Sequence, residues 1–375
     1  MIYIPLLISV LYLVLIITFI IGFGNVDTIK NKNVTPKNTF SILVPFRNEA
    51  HNLPNLLTSL YNLKYPSHLF EVLLIDDNSS DNYLDIVNSF TTKDGAVSIR
   101  ILRSSKIKNS PKKDAINLGV KNANFKWIIT TDADCIVPKN WLLLFNQHIE
   151  EEQSLFISAP VKFKKQHGVL FHFQNLNFTS LIGSTIGGFG IGKPFMCNGA
   201  NLCYSKDAFF KVKGFEGNSK IASGDDVFLL EKMKDAFPNK TSYLKSTKAI
   251  VQTNPENNLN SFFNQQIRWA SKSTAHKSTF SKFIGLTVFT MNLVLITMLI
   301  ATILNPLLWK YLVLIFIQKL VVDFILILKT SSFLKTTNSL KYYIFTSLLY
   351  PFFIIFIAVL SQFKSYEWKG RKFNK

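Results

Sequence analysis

Two aspartates one residue apart, Asp132 and Asp134, follow an apolar run in KWIITTDADCIVPKNW (residues 126–141). Carboxylates are depleted from strands and repel one another at that spacing. Paired carboxylates on a strand-end turn can share one hard cation, and oxygen ligands favour magnesium or manganese. Magnesium takes one or two protein carboxylates and completes its shell with water and substrate phosphate. The pattern therefore points to Mg2+ or Mn2+ joining the protein to a diphosphate. A plain structural account competes with it: Asp132 caps the strand and Asp134 opens a turn toward Pro138.

Other motifs share this double reading. Asp76 and Asp77 close the run FEVLLIDD and also suit the N-cap of the next helix. Asp225 and Asp226 open DDVFLLEKMKDAF, where a helix N-terminus stabilises negative charge. In QQIRW, Arg268 can pair with phosphate and Trp269 can stack, or the segment is a membrane-surface helix with a snorkelling arginine. Cys135, Cys197 and Cys203 have neither CxxC spacing nor partnering histidines, so they form no zinc signature. Gly187, Gly188, Gly190 and Gly192 do not form GxGxxG in a βαβ setting, and their stretch reads as a loop leading into a strand.

The elements that must position these residues alternate. FSILVPF, FEVLLIDD, VSIRIL and KWIITTD read as buried strands, each followed by a helical pattern. That order predicts βαβ units in an α/β, doubly wound, mostly parallel sheet. Ligands bind such sheets at the carboxyl ends of the strands. Asp76, Asp77, Asp132, Asp134 and the Pro45–Glu49 segment all fall at such ends. LFISAPVKF reads as one further strand.

The apolar residues concentrate at the chain ends. Residues 2–23 carry no charge, and about 20 apolar residues span a bilayer. The run lacks a basic start and a small-residue cleavage site, so it reads as a retained anchor. Three more apolar runs cover about Phe283–Leu304, Leu307–Leu328 and Tyr342–Leu360. The expected organisation is an anchor over 1–24, a basic linker over 25–39 and a soluble domain over 40–277. A membrane region of two or three spans follows over 278–362, with a basic tail over 363–375. The net charge of +19 gathers beside the apolar runs, at Lys30, Lys32, Lys37, Lys335, Lys341 and the tail. That matches the positive-inside rule and excludes a nucleic-acid groove as the simpler account. Full crossing by all three late runs would put the basic tail opposite the basic linker. The polar middle run, with Lys310, Lys319 and Asp323, and Pro351 in the last run therefore mark an expected incomplete crossing.

Taken together, LIDDNSSD, TTDADC, SGDDVF and QQIRW, in this order, resemble the inverting glycosyltransferases of family 2, with the GT-A fold. SILVPFRNEAHNL is similar to the family's first strand and loop, and PKKDAINLG to its lysine-bearing helix, with Lys113 at the matching position. The resemblance implies donor contacts from Pro45, Arg47, Glu49, Asp76, Asp77, Lys113 and Asp132, with Asp134 and Asp132 on the metal. It implies Asp226 as general base beside Asp225, where the family usually has Glu. Gln265, Arg268 and Trp269 would close over the donor diphosphate and border the acceptor. The implied activity is metal-dependent hexosyl transfer from a nucleotide-sugar, a UDP-sugar, to a lipid or lipid-linked acceptor. The implied setting is a bacterial inner membrane with the catalytic domain cytoplasmic. The alternative is a processive polysaccharide synthase of the hyaluronan or poly-N-acetylglucosamine type.

Overall fold

The N-terminal apolar run forms one helix, α1 (Tyr3–Asn25), and the next apolar run begins the sheet. A computed structural model describes residues 2–30, 32, 34–91, 97–104, 110–217, 224–271, 278–363 and 365–373. The chain divides into two compact units. A sheet unit comprises Asp27–Lys164 and Met196–Asn254, and a helical unit comprises Met1–Val26, Lys165–Phe195 and Pro255–Lys375.

In the sheet unit the four expected strands are β1 (Phe40–Phe46), β2 (Phe70–Asp76), β3 (Ser98–Arg103) and β4 (Trp127–Thr130). They run parallel in the order β3-β2-β1-β4. The crossovers carry α2 (Leu53–Tyr61), α3 (Tyr83–Thr91) and α4 (Pro111–Asn122), and α5 (Trp141–Glu152) follows β4. Pro54 and Pro111 sit in the first turns of α2 and α4, where a missing N–H costs nothing. Ile42, Leu43 and Val44 of β1 and Val72, Leu73 and Leu74 of β2 are fully buried, as two-sided parallel strands require.

The single strand expected over LFISAPVKF is split. β5 (Phe156–Ser158) joins the main sheet, whereas β6 (Val161–Phe163) pairs with β9 (Val251–Thr253) in a separate ribbon. Pro160 stands at the break, with no N–H for a ladder. β7 (Leu202–Ser205) lies antiparallel between β4 and β5, and β8 (Thr241–Tyr243) closes the order. α7 (Lys206–Lys211) follows β7, and α8 (Asp225–Ala236) starts at the acidic pair.

The helical unit contains α1, α6 (Val169–Gly190), α9 (Leu259–Ala270), α10 (Thr279–Leu304), α11 (Trp309–Leu334) and α12 (Tyr343–Phe363). The glycine-rich stretch expected as a loop is helical through Gly190. Its glycines are spacing devices for helix contact: a Cβ on Gly187 would lie 2.5 Å from the Phe19 carbonyl oxygen of α1. Because α6 packs on α1 and α11, residues 165–195 leave the continuous 40–277 domain expected from the sequence. The segment from Pro255 leaves it as well. Residues 272–277, the end of the domain expected over 40–277, lie outside the described ones.

α1 and the three C-terminal helices are long and apolar enough to cross a membrane. Neither feature expected to mark an incomplete crossing shortens its helix. Pro351 lies inside a continuous α12. In α11, Lys319 pairs with Asp323 at 2.5 Å, and Tyr12 of α1 donates to Asp323 Oδ1 at 2.7 Å. Charges within an apolar helix are tolerated when paired inside protein. The tail forms a hairpin of β10 (Tyr366–Trp368) and β11 (Arg371–Phe373), with β10 beside α9.

Candidate active site

Strand register brings the expected residues to one edge. Phe46 lies opposite Asp76, and Leu43 opposite Thr130, so the segments after β1, β2 and β4 emerge together. Pro45 is still within β1, opposite Ile75. Arg47 Nη1 donates to the carbonyls of Asp77 and Asn78, both at 2.7 Å, which ties the first loop to the second. Asn48 and Asn78 take left-handed backbone angles, φ 52° and 55°, which asparagine tolerates better than most residues. Asp76 holds its own turn, accepting from the Ser79 N–H at 2.8 Å and the Tyr83 hydroxyl at 3.1 Å. Burial and the Asp76 charge raise the pKa of that hydroxyl, so it remains a donor. Glu49 is buried, accepts from Asn52 Nδ2 at 2.7 Å, and its carbonyl opens α2. Asp77 is 6% exposed, and its N–H donates to the Phe46 carbonyl at 2.9 Å.

The second cluster centres on Gly199. Lys112 Nζ lies 2.7 Å from Asp132 Oδ1 and 3.6 Å from Asp225 Oδ2. A Cβ on Gly199 would meet Asp225 Oδ2 at 3.1 Å, Lys112 Nζ at 3.5 Å and Asp226 Cβ at 3.6 Å, so any side chain there would enter the cluster. The Gly199 N–H donates to Asp226 Oδ2 at 3.2 Å, and Thr130 Oγ1 donates to the Gly199 carbonyl at 2.8 Å. The strand end before Asp132 is thus bonded to the segment that faces the start of α8. Burial would depress the Lys112 ammonium, but Asp132, Asp225 and Asp226 outweigh it and hold its pKa above the ordinary lysine range.

Asp132 and Asp134 have different surroundings. Asp132 faces Lys112, whereas Asp134 Oδ2 accepts from Thr253 Oγ1 at 2.9 Å and its carbonyl accepts from Lys164 Nζ at 3.1 Å. Burial, reinforced by both aspartates, pushes the neighbouring Cys135 thiol up, so it stays protonated. Among the described residues no three His, Cys, Asp or Glu groups cluster closely enough to hold a metal. Asp132 and Asp134 could supply one or two carboxylates to an ion that fills the rest of its shell from substrate oxygen.

Lys112, Gly199 and Thr253 were not singled out from the sequence. On α4, Lys113 shares its face with the buried Ile116 and Val120, and the preceding Lys112 shares its face with the buried Ala115 and Gly119, so helical spacing alone does not separate the two. Lys113 is 1% exposed, with Nζ 4.9 Å from the Phe228 ring centre. Gln265, Arg268 and Trp269 sit on α9 in the helical unit, where Gln265 Nε2 donates to Glu256 Oε1 at 3.0 Å and the Trp269 ring lies 6.1 Å from Phe178.

A mostly parallel sheet with paired aspartates at its carboxyl edge defines a GT-A type transferase. The chain belongs to the family 2 glycosyltransferases: the description "Glycosyl transferase family group 2" matches residues 127–360 and "Glycosyl transferase family 2" matches residues 41–211. Among curated relatives, a poly-beta-1,6-N-acetyl-D-glucosamine synthase of Staphylococcus aureus is 23% identical over 152 residues, which is 40% of this chain and 35% of that protein. A Methanococcus voltae dolichyl N-acetyl-alpha-D-glucosaminyl phosphate 3-beta-D-2,3-diacetamido-2,3-dideoxy-beta-D-glucuronosyltransferase is 26% identical over 51% of this chain and 56% of its own length. The chain thus spans about a third of the first and just over half of the second. Among solved structures, the mannosyltransferase PcManGT from Pyrobaculum calidifontis, in complex with GDP-Man and Mn2+, superposes with TM-score 0.56. It covers 96% of each chain at 14% identity, a likeness of fold.

Proposed function

We propose that the chain transfers one hexose from a nucleotide-diphosphate donor, a UDP-sugar, to a lipid or lipid-linked acceptor, with inversion at the anomeric carbon. The observation that carries this reading is the meeting of Asp132, Asp225, Asp226 and Lys112 around Gly199 at the carboxyl edge of the sheet. Asp226 takes the proton of the acceptor hydroxyl as its oxygen attacks the anomeric carbon. The bond from that carbon to the phosphate oxygen breaks, and the nucleoside diphosphate leaves with the electron pair. Asp225, engaged by Lys112, orients the start of α8 beside the base. A divalent ion, Mg2+ or Mn2+, held by Asp134 with Asp132, would neutralise charge on the leaving diphosphate. Lys112 adds fixed positive charge on the same side. Pro45, Arg47, Glu49, Asp76 and Asp77 form the wall for the nucleoside. Arg268 and Trp269 are assigned phosphate pairing and acceptor stacking on the QxxRW motif.

The apolar helices support a membrane-borne acceptor, as does the dolichyl-linked substrate in the name of the Methanococcus relative. Basic residues flanking those helices support a sheet unit on the cytoplasmic face of a bacterial inner membrane. A second reading, a processive synthase, has the name of the Staphylococcus relative in its favour. Radiolabelled nucleotide-sugars offered to the full chain with Mn2+ and membrane lipid extract distinguish them. The proposed reading expects label in one organic-soluble lipid product. A long water-soluble polymer would replace it with the second reading.

A further inference from the structure

Gln265 is held by a residue that neither the motif nor the resemblance assigns. Glu256 lies ahead of α9 and is clamped by its backbone: its N–H donates to Gln174 Oε1 at 3.0 Å, and its carbonyl accepts from Gln174 Nε2 at 2.9 Å. Gln174 is 1% exposed on α6. A second bridge joins α6 to α9 itself, from Asn177 Nδ2 to Gln266 Oε1 at 3.1 Å. The Glu256 carboxylate is therefore fixed where Gln265 Nε2 meets it, at 3.0 Å. The two ends of a carboxamide look alike, but an ionised carboxylate only accepts, so it is the NH2 end of Gln265 that faces Glu256. The carbonyl end, Oε1, is buried and meets no donor among the described residues. A buried acceptor calls for an N–H or O–H partner.

We infer that Gln265 is a specificity residue that receives a hydroxyl of the sugar or the acceptor on Oε1, and that Glu256 is the positioning residue that sets this polarity. The inference rests on the glycosyl-transfer reading and revises one part of it. A diphosphate offers only acceptor oxygens, so Oε1 does not suit it, while the guanidinium of Arg268 does.

The test uses the full chain in detergent with Mn2+, measuring binding of UDP and of GDP together with turnover of UDP- and GDP-sugars. Gln265→Leu and Glu256→Leu are expected to bind the nucleoside diphosphate within about 2-fold of wild type while turnover falls about 10-fold or more. Retained binding also reports that each variant is folded. Glu256→Gln still offers Gln265 an acceptor and is expected to keep most of the activity. The double variant should be no slower than Gln265→Leu alone, because both act through one amide. Nucleoside diphosphate binding that weakens in Gln265→Leu as much as in Arg268→Ala overturns the inference. So does wild-type turnover in Glu256→Leu. A wild-type chain that binds neither nucleotide and cleaves neither donor overturns the transferase reading itself, and this role with it.

Discussion

Lys112 decides the charge balance of the site. Burial alone would favour its neutral form, yet three nearby carboxylates keep it charged, so Asp132 and Asp225 share one fixed cation. Lys112→Met is predicted to lower kcat/KM about 10- to 100-fold, the scale of losing one preorganised charge, with part recovered in Lys112→Arg. Lys113→Met, at a residue whose Nζ lies over the Phe228 ring, is predicted to cost less turnover than Lys112→Met. Steady-state kinetics on the three variants checks this order. The placement of Asp76, Asp77 and Asp132 along one sheet edge was legible in the sequence because strand ends in a parallel sheet converge whatever the side chains. The choice between two adjacent lysines was not legible, because Lys112 lies over the buried Ala115 and Gly119 as Lys113 lies over Ile116 and Val120. Thr253 on Asp134 was not legible, because it arrives from β9 across more than a hundred residues of chain.

Among the elements, α6 differs most from its reading in the sequence. Glycines in a row suggest a loop, yet Gly187 and its neighbours let α6 approach the α1 backbone closely, a use of small residues typical between apolar helices. The Gly187→Val variant places a methyl-bearing Cβ against the Phe19 carbonyl and is predicted to destabilise by about 1–3 kcal/mol. Gly24→Ala, whose Cβ would meet nothing within 4 Å, is predicted to be tolerated. Thermal unfolding in detergent compares the two. Strands β1 to β4, in contrast, were legible throughout, since continuous β-branched runs bounded by helical patterns have few other outcomes.

The link between α5 and β8 carries a pH dependence. His148 bonds to Ser242 Oγ at 2.7 Å, and burial lowers its pKa from 6.5 to about 4, with Glu151 opposing. Protonation is therefore easier in the unfolded chain. The stability owed to this group is complete above about pH 6.5 and is lost as pH falls toward 4, at about 1.4 kcal/mol per unit of depression. His148→Gln is predicted to flatten the fall in melting temperature across that window. An unchanged slope would mean that His148 is not the group titrating.

At the scale of the whole molecule, the chain interleaves two units rather than stringing domains along its length. The sequence showed where apolar helices and the sheet begin, because composition changes sharply there. It hid that residues 165–195 pack with the helical unit, since that assignment depends on which helix a glycine face meets. The activity proposed for the chain is inverting glycosyl transfer with Asp226 as base. Its most direct test is nucleoside diphosphate release by the full chain with Mn2+, donor and membrane lipid, comparing wild type with Asp226→Asn. Wild type is expected to release nucleoside diphosphate and the variant to do so at least about 100-fold more slowly, as for removal of a general base, with nucleotide binding intact. Equal rates in the two proteins would contradict it.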